Sequence, residues 1–152
     1  MTRAADTEAT EILRKQLPLP GWSDLTAPYW QHAAEGRLVI QRCRQCGVHR
    51  WEPVEICYAC HSWDWDWDPV GGAGTVYTYT WADMPREPGA DLVNLAVVEL
   101  DGTEGDPVRL LTWVEGADRE SLRCGLPVQV AFDPLGDGLG VPYFRPRSIT
   151  AP

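Results

Sequence analysis

The spacing of apolar and polar positions along this chain changes character three times, and each change predicts a different kind of element. Residues 1–25 mix charges with Pro18, Pro20 and Gly21. They sustain no period beyond a short helical stretch around Thr7 to Leu17, so a flexible arm is expected there. Helix signals follow, with Asp24 or Thr26 as N-cap, Pro28 in the first turn and Gly36 at the left-handed position past the end. These predict a helix of about three turns over 26–36, carrying Tyr29 and Trp30. The run Arg37 to Arg42 is rich in β-formers and reads as a strand leading straight into Cys43.

Further on, Trp63-Asp64-Trp65-Asp66-Trp67-Asp68 alternates strictly, which puts indoles on one face of a strand and carboxylates on the other until Pro69 and Gly71-Gly72 end it. Five β-type segments with turn signals between them then recur: Gly74 to Trp81, Leu92 to Leu100, Val108 to Val114, Val128 to Phe132 and Tyr143 to Ile149. Asp118 to Cys124 fits a single helical turn. Five short strands suit a small OB-fold barrel better than a two-sheet sandwich, which usually needs about seven.

Between helix and barrel lies the pattern C-x2-C-G-x9-C-x2-C, formed by Cys43, Cys46, Cys57 and Cys60. Two thiolate pairs separated by a short β excursion are the ligand set of a tetrahedral metal site. The residue after each second cysteine tends to need positive φ. Gly47 meets that demand freely, and His61 is the departure in the second knuckle. Two disulfides or a redox pair are the alternatives, and iron also suits four thiolates. Four protein ligands leave no open coordination position, so the expected metal is a structural zinc ion. His49 and His61 lie near enough in sequence to ligate, but the cysteine set is complete without them. The predicted fold is therefore mainly β: an arm (1–25), a helix (26–36), a rubredoxin-like zinc ribbon (37–68) and a five-stranded OB-fold barrel (69–152).

Charge narrows the partners. Thirteen Lys plus Arg against 22 Asp plus Glu give a formal charge of −9, which repels nucleic-acid phosphates. No stretch approaches the roughly 18 apolar residues that cross a bilayer, and the first twenty residues do not read as a secretory signal, so the cytoplasm is the expected compartment. The three histidines all lie in the N-terminal half, with no nucleophile elbow, P-loop or dinucleotide-binding pattern, so no catalytic residues are assigned. Gly71 to Gly74 reads as a linker, and Asp64, Asp66 and Asp68, ~7 Å apart along a strand, as a solvated face rather than a calcium site. Among the eight tryptophans, Trp63, Trp65 and Trp67 are expected to pack ribbon on barrel, while Trp22, Tyr29 and Trp30 are candidates for docking a partner. Cys124 is expected to be a small buried filler.

The order of these elements resembles a known family. Pro28-Tyr29-Trp30, Glu35-Gly36-Arg37-Leu38, the Gln41 to Gly47 knuckle, Cys57-Tyr58-Ala59-Cys60, Gly74-Thr75-Val76-Tyr77, Leu122 to Val128 and Pro142 to Pro146 together are similar to the zinc-ribbon plus OB-fold proteins called domain-of-unknown-function thirty-five. Members accompany thiolases, hydroxymethylglutaryl-CoA synthase, and the aldolases and hydratases that shorten steroid side chains. The resemblance implies a heteromeric complex with a thiolase-fold protein built on a partner dimer, a bound CoA thioester, and carbon–carbon bond cleavage, retro-aldol or thiolytic. It implies no catalysis by this chain alone. In that setting Arg42 and Arg44, with Arg50, Arg145 and Arg147 nearby in sequence or at the end, are candidate contacts for CoA phosphates. A single-stranded nucleic-acid-binding module and a four-thiolate iron electron carrier are the competing expectations.

Overall fold

The computed structural model describes residues 23–82, 93–136 and 138–147. Helix α1 spans Ala27–Ala34, shorter than the three turns expected. Its N-cap is Thr26, as the sequence suggests, but the side chain makes no capping bond; instead the Ser23 carbonyl accepts from the Thr26 and Ala27 amides at 3.0 and 2.9 Å. At the other end the Arg37 amide reaches the His32 carbonyl and the Gly36 amide reaches that of Ala33. This double closure satisfies carbonyls that the last turn leaves orphaned, and it requires Gly36 at φ +74.

Strand β1 (Val39–Cys43) is the centre of a three-stranded antiparallel sheet between β2 (His49–Arg50) and β3 (Trp65–Pro69). The alternating segment enters the sheet only at Trp65, and Trp63, expected to pack on the barrel, is 66% exposed. Strands β4 (Ala73–Ala82), β5 (Val93–Leu100), β6 (Arg109–Thr112), β7 (Pro127–Gly136) and β8 (Leu139–Pro146) form a second sheet in the order β6-β5-β4-β7-β8. A parallel bridge between Val114 and Phe144 joins its two ends, so the five strands make a nearly closed OB-like barrel. A Leu122 amide bond to the Asp118 carbonyl makes the single turn expected between β6 and β7.

Ribbon and barrel share one core. Tyr29 from the helix and Leu38, Val39 and Ile40 from the ribbon strand pack in the same cluster as Val76, Val98, Leu110, Val128 and Phe144. Two corrections follow. Tyr29, expected at a docking surface, is 4% exposed and belongs to this core, while Cys124, expected to be buried, is exposed. Burial pushes the Tyr29 phenol far up. Since the unfolded chain ionises its tyrosines near pH 10 while folded Tyr29 stays neutral, the raised pKa favours the folded state fully below that pH, and this favour is lost as pH rises above it. Alkaline unfolding monitored by tyrosinate absorbance should therefore show the Tyr29 ionisation arriving with the unfolding transition, and its ionisation in folded protein would contradict its placement.

The helix meets β8 at Gly140, where a Cβ would stand 2.5 Å from the Ala34 nitrogen and 2.6 Å from the Ala33 carbonyl carbon. Backbone cannot yield as a flexible side chain can. Gly140→Ala should cost about 3 kcal/mol, the upper part of the usual overpacking range, read as a lowered urea midpoint with an unchanged slope.

Candidate metal centre and the ribbon around it

The two knuckles repeat one hydrogen-bond pattern. The Cys43 amide bonds the Val48 carbonyl and the Gly47 amide returns to that of Cys43; in the second knuckle Cys57 bonds Ser62, and His61 returns to Cys57. Gly47 sits at φ +78 and His61 at φ +60, so the position flagged in the sequence adopts the same left-handed conformation in both halves. This folds each C-x-x-C back on itself and turns both pairs inward.

The four Sγ atoms all lie within 4.8 Å of one another. Cys43 Sγ is 3.5 Å from Cys60 Sγ, and Cys46 Sγ is 3.6 Å from Cys57 Sγ. A disulfide needs about 2.05 Å, whereas the edges of a tetrahedron with metal–sulfur bonds of about 2.3 Å come to about 3.8 Å. The donor set thus fits a tetrahedral thiophilic ion, and all four cysteines are free. The bond from the Cys46 amide holds the Cys43 thiol down at about 6. At Cys60 the Ser62 amide pulls the other way, but desolvation and the three neighbouring sulfurs together push the thiol up to about 12. Four sulfurs packed this closely compete for protons, and a divalent cation would relieve that competition.

Ion pairs surround the cluster. Arg44 Nη2 lies 2.6 Å from Asp66 and its Nε 3.8 Å from Asp64, while Arg42 lies 3.7 Å from Asp68 and donates to the Gly47 carbonyl at 3.1 Å. The carboxylate face of the Trp-Asp run is therefore matched by the arginines of the first knuckle. An anionic ligand at Arg42 or Arg44 would have to displace a carboxylate. Arg145 is likewise bonded to Glu115 at 2.9 Å.

His49 does not ligate. Its Nδ1 accepts from the Glu104 amide and its Nε2 donates to Asp68, both at 2.9 Å, and its own amide bonds the Glu104 carbonyl. The residue is 3% exposed and ties the ribbon to the loop between β5 and β6. Removing two part-buried side-chain bonds gives His49→Ala an expected cost of about 2 kcal/mol, with zinc content unchanged. Loss of zinc instead would point to a ligand role.

The docking aromatics divide. Trp22 lies outside the described residues; Trp30 is half-buried, edge-on to Tyr29 at 4.8 Å, and Tyr29 in turn packs on Trp51 at 4.6 Å. The exposed apolar side chains of the ribbon are instead Val54, Ile56, Tyr58 and Trp63. Gln41, which carried no signal in the sequence beyond polarity, and Arg50, expected only as one of several candidate phosphate contacts, are both buried and bonded to one another at 2.7 Å.

Fold and site together define a four-cysteine zinc ribbon continuous with an OB-like barrel. Residues 30–66 match the family described as "ChsH2, rubredoxin-like zinc ribbon domain" and residues 67–133 match "ChsH2, C-terminal OB-fold domain". The chain belongs to this ChsH2 family, whose wider group is DUF35. A solved structure titled "Ltp2-ChsH2(DUF35) aldolase" is similar at 34% identity and TM-score 0.73, covering 84% of this chain and 98% of that one. A DUF35 protein of unknown function from Sulfolobus solfataricus shares the fold at TM-score 0.56 and 16% identity, over 93% of this chain and 96% of that one. A protein of Thermomonospora curvata named "Probable enoyl-CoA hydratase alpha subunit" is 37% identical over 95% of this chain. This chain spans 44% of that relative's length.

Proposed function

We propose that this chain is a partner subunit in acyl-CoA processing: a non-catalytic protein that binds a thiolase-fold enzyme and supports carbon–carbon bond cleavage of a CoA thioester, retro-aldol or thiolytic. The observation that carries this reading is the similarity to the chain in the aldolase structure, which is nearly complete on that chain's side. The metal centre is consistent with it. Cys43, Cys46, Cys57 and Cys60 would hold zinc, and the ion when bound supplies structural cross-linking of the two knuckles. A cytoplasmic heteromer assembled on a partner dimer completes the reading.

The exposed apolar side chains of the ribbon support a docking role. Ile56, Tyr58 and Trp63 are 40, 51 and 66% exposed, residue types of the kind that anchor protein interfaces. Affinity co-purification of the tagged chain from its native cells, with metal quantified and the partner identified by mass spectrometry, tests the assignment. A stoichiometric thiolase-fold partner and one zinc per chain are expected; recovery alone or with nucleic acid would overturn it, and a visible absorption band from bound iron would replace zinc. Ile56→Asp with Trp63→Ala should weaken recovery of that partner at least about tenfold while leaving the circular dichroism of the free chain unaltered.

A further inference from the structure

Arg50 is a buried cation whose protein contacts leave four of its five N–H donors unused. It is 3% exposed, and its Nε donates to Gln41 Oε1 at 2.7 Å, an oxygen that also accepts the Val54 amide at 3.1 Å. Those bonds fix the guanidinium plane. Both Nη nitrogens of Arg50, and Gln41 Nε2 as well, are buried without a hydrogen-bond partner. All three orphaned groups are donors. Clustered donors around a fixed positive charge match an oxyanion, because only an acceptor carrying negative charge satisfies the unpaired N–H groups and the desolvated cation at once.

Arg50 lines a cleft of about 370 Å³ between the ribbon and the loop before β6, together with Trp51, Val54, Tyr58 and Pro107. Val54 and Tyr58 are 44 and 51% exposed, so the cleft opens at the surface. Its volume falls in the range that holds a small molecule or an inserted side chain. Two acidic residues, Glu52 and Asp106, share the lining, and Asp106 stands beside the Tyr58 hydroxyl. Their charge repels a polyanion such as a phosphate ester more than a singly charged group, and the aromatic and aliphatic walls suit an apolar body behind the charge.

We propose that this cleft binds a carboxylate carried on an apolar or aromatic body, with the Arg50 guanidinium as its ion-pairing partner. Two sources share that chemistry: an acidic side chain inserted by a partner protein, and a small aromatic acid. The site stands on this chain's own residues and does not depend on the partner subunit reading.

The test is a titration of the zinc-loaded full chain with phenylacetate, followed by the side-chain resonances of Arg50 and the indole of Trp51, with phenylacetamide and inorganic phosphate in parallel. Saturable binding with a dissociation constant on the order of millimolar, at least about tenfold tighter than for the neutral amide or for phosphate, is expected. Equal binding of the amide, or no saturation by the acid, would overturn the proposal. Arg50→Gln supplies an independent readout, since relieving an unpaired buried charge should leave the melting temperature of the free chain unchanged or raised, while abolishing its increase with phenylacetate. A variant that melts lower, or still responds to the acid, also counts against the site. Repeating the titration on the co-purified complex separates the sources: signals blocked by the complex assign the carboxylate to the partner, and signals retained assign it to a small acid.

Discussion

Stripping the metal, by chelation or by Cys57→Ser, should unfold the barrel together with the ribbon. Structural zinc contributes on the order of 10–16 kcal/mol in isolated finger peptides, comparable with or larger than the roughly 5–15 kcal/mol that stabilises a whole domain. Here the first knuckle starts at Cys43, the last residue of β1, and the start of that strand, Val39 and Ile40, is 1 and 0% exposed in the core shared with Val98, Val128 and Phe144. Releasing the knuckles therefore frees a strand that fills the barrel's own core. Near-ultraviolet circular dichroism across a chelator titration is expected to show one cooperative loss, covering the stacked Trp113–Tyr143 pair of the barrel as well as the Tyr29–Trp51 contact beside the ribbon. If barrel amides stayed protected in the metal-free protein, the shared core would be contributing far less than its burial implies.

The second large effect is expected at Phe144. It is the largest fully buried side chain among the described residues, 0% exposed, and it sits at the seam where the barrel closes: its amide bonds the Trp113 carbonyl at 3.1 Å and its carbonyl accepts from the Glu115 amide at 2.8 Å. Phe144→Ala should cost about 3–5 kcal/mol, the usual range for a core phenylalanine, while Phe144→Leu, which keeps most of the volume, should cost under about 1.5 kcal/mol. The backbone bonds survive both substitutions, so the difference between them isolates packing. Equilibrium denaturation of the two variants measures it, and a cost below about 1 kcal/mol for alanine would mean that the seam is held by its hydrogen bonds alone.

The parts legible in sequence were those set by local chemistry. Cysteine spacing located the knuckles, and the conformational demand after each second cysteine was visible in Gly47 and His61. Alternating β-formers located three of the five barrel strands to within about two residues; β7 instead runs past Phe132 to Gly136, and β8 begins at Leu139, four residues before the expected Tyr143, and ends at Pro146. Partnership was harder to read. Tyr29 looked like a docking residue because its helix is short, yet it is the tertiary core that buries it, and no local signal records that. Asp64 and Asp66 of the Trp-Asp run are exposed as expected, but their pairing was not legible, because the arginine partners lie about twenty residues earlier and are brought alongside by the β1–β3 register that pairs Arg42 with Asp66. Strand β2 is only two residues long, too short for any period to reveal. His49 and Arg50, which it carries, owe their roles to what lies across the sheet and in a distant loop.

The junction between the two family matches has an odd position. It falls between residues 66 and 67, inside Trp65–Pro69, a strand that pairs along its full length with Val39–Cys43. A fragment ending at 66 would leave Val39, Ile40 and Gln41 without their neighbours, and one starting at 67 would begin with an unpaired strand remnant and an exposed Trp67. Sequence kinship is inherited here in two blocks, but the polypeptide folds across their border. Exchanging ribbons or barrels between relatives at that border would sever a continuous hydrogen-bonded ladder, whereas a cut in the turn at Gly71 and Gly72 would leave the ladder whole.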